Sequence, residues 1–82
     1  MEYKKLLKKR FGRRLYTLYG ESRLTKEQVA QKCETDVHTL ECWFRGDSVP
    51  RLDKLLKIAY FFGVSLDELC ALDMYISDRD EE

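Results

Sequence analysis

One proline and four glycines in 82 residues leave no stretch loose enough to act as a linker, and no repeat or low-complexity tract occurs. The chain is therefore read as a single domain over residues 1–76, followed by an acidic, disordered tail at 77–82. No apolar run approaches the roughly 20 residues of a membrane span, and no apolar signal core follows the basic start. A soluble, cytoplasmic protein without membrane contact is expected. Three cysteines, at 33, 42 and 70, are odd in number and form no CxxC pair, which excludes a disulfide framework and suits a reducing compartment. There is one histidine, no nucleophile elbow, no glycine-rich phosphate loop and no paired carboxylates placed for acid–base work. These absences argue against an enzyme, and neither cofactor nor metal is expected. Alternating β-branched runs between turn signals are missing too, so strands are not expected.

Charge and helical periodicity are what the chain has in quantity. The formal net charge is zero, yet residues 1–32 hold ten Lys/Arg against three Asp/Glu, and residues 33–82 hold five against twelve. Such polarity points to an electrostatic partner or to mutual attraction of the two halves. Tyr3, Leu7, Phe11, Leu15 and Leu18 recur at helical spacing and make one stripe of a basic first helix. Gly12 within it costs helix propensity, which suggests a close packing contact. "TKEQ" is a capping box that opens a second helix at Thr25, with Val29, Ala30 and Cys33 facing inward. Asp36 caps a third helix that runs to about Arg45 and stops at Gly46, with Leu40 and Trp43 inward. A fourth helix spans Leu52 to Phe62, with Leu52, Leu55, Ala59 and Phe62 on one face and Gly63 at its end. Ser65 and Glu68 of "SLDE" form a second capping box, opening a short fifth helix through Leu69.

Two short helices joined by a tight turn, the second capped and amphipathic, have the form of a helix-turn-helix, here about residues 25–46. The first helix braces the second, whose exposed N-terminal half suits a major groove about 12 Å wide. "FGRRL", "LTKEQVAQK", the "W-F-RG" ending of the third helix and "P-LDKLLKIAYFFGVSLDEL" complete the pattern. From Phe11 to Leu69 the chain resembles the phage-repressor and Cro-like helix-turn-helix family, the XRE group of bacterial and phage regulators. The resemblance implies an all-α, five-helix, lambda-repressor-like DNA-binding domain, here with an N-terminally extended basic helix 1. It further implies a transcriptional regulator, of repressor type, that binds double-stranded DNA as a homodimer.

Carried over residue by residue, the resemblance puts Val37, His38, Glu41 and Cys42 toward base edges, where relatives often carry Gln, Ser, Arg or Lys. Lys26, Thr39, Arg45 and Arg51 fall at positions suited to the DNA backbone. Glu34 replaces the turn glycine and puts a side chain where positive φ is usual. Dimer contacts are implied for the last helices, with Phe61, Leu72, Met74 and Tyr75 as candidates. Tyr60, Phe61 and Phe62 in succession cannot all face one core, and Phe44 can go either way. His38 is a base contact, an uninvolved surface residue, or half of an incomplete zinc pair with Cys42, for which Glu34 is the only obvious third ligand. Glu41 beside Cys42 argues against a redox thiol there. The basic helix 1 reads as a DNA clamp, a solvated extension, or a docking surface for the acidic half of another chain. Glu34, Asp36 and Glu41 also leave open a different class, a helix-turn-helix retained for protein recognition through an acidic third helix, as in a repressor antagonist or antitoxin.

Overall fold

In the computed structural model, which describes residues 3–70, the starts of three helices coincide with side chains that cap them. The order is α1 (Tyr3–Ser22), α2 (Lys26–Lys32), α3 (Val37–Arg45), α4 (Leu52–Phe62) and α5 (Leu66–Leu69). At α2, Thr25 Oγ1 accepts from the Gln28 amide at 3.1 Å while Gln28 Oε1 accepts from the Thr25 amide at 3.0 Å. Ser65 and Glu68 repeat this reciprocal cap at α5. Asp36 Oδ1 accepts from the Thr39 amide at 2.7 Å and opens α3. Each cap satisfies backbone donors that a helix start leaves without intrahelical partners.

Three helix ends close in the same way, and only two of them use glycine. Gly46 (φ 82°) ends α3 and Gly63 (φ 69°) ends α4. Glu34 (φ 59°) does the same after α2, where its amide bonds the Gln31 carbonyl and the next amide, of Thr35, bonds the Ala30 carbonyl. The left-handed backbone is therefore kept at position 34 without glycine. Arg23 (φ 64°) after α1 is a second such residue, not anticipated from the sequence.

The core joins Phe11 and Leu15 of α1, Val29 and Ala30 of α2, Cys33, Leu40 and Trp43 of α3, Ile58 and Ala59 of α4, and Leu69 of α5. Burial pushes the Cys33 thiol up to about 11, so it stays protonated and inert. On α1 the inward stripe continues only part-buried through Leu7 and Leu18. Gly12 allows α1 to lie backbone-to-backbone across the end of α3. A Cβ there would collide with the Trp43 carbonyl oxygen and stand 2.8 Å from that of Phe44. Gly46 in turn sits against the Lys9 backbone.

The expected face of α4 needs correction. Leu55, Ile58, Ala59 and Phe62 pack on the core, whereas Leu52 is 61 % exposed. The packed stripe begins at Leu55 and follows i, i+3, i+4, i+7, which leaves Leu52 one turn before it. Of the three successive aromatics, Tyr60 is the one left in solvent, and the Phe61 and Phe62 rings lie 4.8 Å apart. Leu72, Met74, Tyr75 and the 77–82 tail lie outside the described residues, as does the side chain of Tyr3. No helix among the described residues is long and apolar enough to cross a membrane.

Candidate nucleic-acid interface

The turn between α2 and α3 is four residues long, Cys33 to Asp36, and α3 packs on α1 and α2 through Leu40 and Trp43. At about 100° per residue the opposite side of α3 is centred on Arg45 and His38, with Glu41 and Cys42 beside them. Those four residues form the outward face. Val37 lies at its edge, half-buried against the core, and Thr39 lies at the other edge with its amide on Asp36. Arg51 is exposed on a different element, at the N-cap of α4.

The carboxylates around α3 each have an intramolecular partner. Glu41 Oε2 stands 3.1 Å from Lys26 Nζ, joining the outward face of α3 to the first turn of α2. This hydrogen bond, and the charge behind it, hold the Lys26 ammonium protonated beyond its ordinary range. Glu34 Oε1 stands 2.7 Å from Lys57 Nζ, and the Glu34 carbonyl accepts from Lys54 Nζ at 2.8 Å. The Lys57 hydrogen bond keeps the Glu34 carboxyl below its usual range. Asp36 is also held below its usual range, chiefly by the Thr39 amide it caps. The acidic cluster thus serves as a brace, a turn anchor and a helix cap.

Arg45 is engaged as well. Its Nε donates to Asp47 Oδ2 at 3.1 Å, and its Nη2 donates to Cys42 Sγ at 3.5 Å. His38 Nε2 lies 3.9 Å from the same sulfur. The Glu41 carboxylate turns to Lys26, and His38 and Arg45 are the groups that face the Cys42 sulfur. Glu34, once the third ligand considered beside His38 and Cys42, is held by Lys57, and among the described residues no group of three could hold a metal.

Sequence reasoning missed two parts of this surface. Asp47 was overlooked as the partner of Arg45, although it stands only two residues away. The other part is aromatic. The Phe44 ring meets Tyr16 edge-on at 5.1 Å and Tyr19 at 5.4 Å, which settles Phe44 as a strut between α1 and α3 beside Lys26. The single step of three from Tyr16 to Tyr19 is compatible with one helix face. Nothing local in the sequence links either ring to residue 44.

Residues 10–72 match the family described as "Helix-turn-helix domain". No curated protein and no solved structure matches the chain significantly.

Proposed function

The chain belongs to the helix-turn-helix domain family, and from that premise we propose that it is a sequence-specific DNA-binding transcriptional regulator of the Cro/repressor-like XRE type. It acts as a homodimer on a two-fold operator, with α3 in the major groove and half-sites about 34 Å apart or a multiple of that. The observation that best supports this reading is the outward face of α3. Arg45, His38, Glu41 and Cys42 project from a helix whose reverse side is fixed in the core by Leu40 and Trp43. A helix held so rigidly can present side chains to base edges in one register.

On this reading Lys26 and Arg45 hold phosphates, and Val37, His38, Glu41 and Cys42 meet base edges, with Thr39 and Arg51 on the flanking backbone. Both principal cations carry carboxylate partners in the free protein. Binding therefore exchanges a carboxylate for a phosphate at each. The exchange at Lys26 releases Glu41, whose oxygens can then accept from a cytosine amino group. Electrostatic attraction is weakened by this arrangement, and base discrimination gains weight relative to it. The alternative of protein recognition through acidic residues would require a basic partner to displace Lys26 from Glu41 and Lys57 from Glu34, while Asp36 meets only the Thr39 amide.

The test is a salt titration of binding to random duplex and to the promoter of the protein's own gene. Wild-type affinity should fall linearly on log–log axes, and Lys26→Ala with Arg45→Ala should weaken binding and reduce the slope by about two. Glu41→Gln should raise affinity for random duplex several-fold by freeing Lys26, and relax selection at one base pair. No binding by the wild type at low salt would overturn the DNA reading.

A further inference from the structure

Leu52, Leu56 and Tyr60 of α4 stand one turn apart along a single line and are 61 %, 52 % and 90 % exposed. Among the described residues no element covers them, and Val49 in the preceding loop is a further exposed apolar residue. Asp53 and Lys57 lie four residues apart on one flank of the line, both exposed. The stripe lies roughly a third of a turn round the helix from the side committed to the core through Leu55, Ile58, Ala59 and Phe62. The stripe is thus an apolar line on α4 that no packing among the described residues uses.

We infer that this stripe is the contact between two copies of the chain, packed as antiparallel α4 helices about a two-fold axis through Leu56. The inference rests on the homodimer proposed above and gives it a surface. Symmetry makes the stripe complementary to itself. Leu56 meets its own counterpart, and Leu52, four residues before it, meets the partner's Tyr60, four residues after. The same axis brings like flanks together, so Asp53 and the partner's Lys57, about 3 Å out of register along the helix, come within reach of each other twice over. Lys57 already bonds Glu34, and its ammonium has donors to spare for a second carboxylate. A formal net charge of zero removes any general repulsion between copies. Three side chains on one line offer a few hundred Å² per copy, short of the roughly 800 Å² per partner of a standard interface. The dimer is accordingly a weak one, completed when adjacent half-sites hold two copies side by side.

Sedimentation velocity of the full chain from micromolar to millimolar concentration, without DNA, tests this directly. The wild type should show reversible monomer–dimer exchange, and Leu56→Glu should be monomeric throughout with unchanged helical circular dichroism. Asp53→Lys should weaken association, and Asp53→Lys combined with Lys57→Asp should recover it. A wild type that stays monomeric overturns the inference and leaves the stripe to another occupant, whether residues 71–82 or a different protein. Leu56→Glu associating as the wild type does, or no recovery in the charge swap, also overturns it. Because no DNA is present, the interface stands or falls separately from DNA binding, which the salt titration decides.

Discussion

Glu34 shows how one residue can be wrong for its backbone and right for its surroundings. Its φ of 59° belongs to glycine, yet its carboxylate takes Lys57 and its carbonyl takes Lys54, so two lysines of α4 grip the turn that precedes α3. The ion pair is exposed on both sides and contributes little once solvent and salt screen it. The strain of a left-handed non-glycine residue is not screened. Strain should therefore win over the pair, and Glu34→Gly is expected to raise the melting temperature by about 4 °C. Thermal unfolding followed by circular dichroism would check this; a lower melting temperature would mean that the Lys57 anchor outweighs the backbone. The sequence exposed half of this arrangement. Glutamate in a glycine position announced the unusual φ, but Lys57 is 23 residues away and no local pattern ties it to Glu34.

At the level of elements, α1 and α3 meet through backbone as well as side chains. Gly12 faces the Trp43 and Phe44 carbonyls with no room for a methyl group, and those carbonyls end a helix that Gly46 closes against Lys9. Gly12→Ala would gain about 1 kcal/mol of helix propensity in α1. It would also force two helix backbones apart, and overpacking of that kind costs typically 1–3 kcal/mol when nothing flexible can give way. Net destabilisation is expected, read as a lower urea midpoint at an unchanged m-value. Caps made the starts of α2, α3 and α5 legible and glycines the ends of α3 and α4, because each is a local requirement written within four residues. The face of α4 was less legible. Apolar residues at 52, 55, 56, 58, 59, 60, 61 and 62 cover nearly the whole circumference, so periodicity alone could not separate Ile58, fully buried, from Leu52, mostly exposed. The side that packs is the one turned to α5 and the shared core.

For the whole molecule, the outward face of α3 was readable from the sequence as a set of positions but not as a set of partnerships. Lys26 and Glu41 were each assigned a role toward DNA, and they turn out to hold each other across 15 residues. Acid should expose how much the fold draws on such carboxylates. Glu34 and Asp36 both titrate below their ordinary range in the folded chain, through Lys57 and the Thr39 amide respectively. A depressed folded value means that the charged form favours the fold. That contribution is complete above the unfolded range and is lost as pH falls through it toward the folded values. Melting temperature should thus be level above about pH 5 and decline below it. Asp36→Asn keeps a good cap without a titrating group and should flatten part of that decline; an unchanged acid limb would place the sensitivity elsewhere.

The single tryptophan has a consequence for how all these variants can be observed. Trp43 is buried on the reverse of α3, two residues from Glu41 and from Arg45, and touches the core that every helix shares. Its indole therefore emits from an apolar surrounding, on the side of the helix turned away from any duplex. Blue-shifted emission that resists acrylamide reports an intact fold, and a red shift reports its loss, while a ligand on the outward face leaves the colour nearly unchanged. One intrinsic fluorophore thereby separates a variant that cannot bind from a variant that cannot fold, with no label added to the chain.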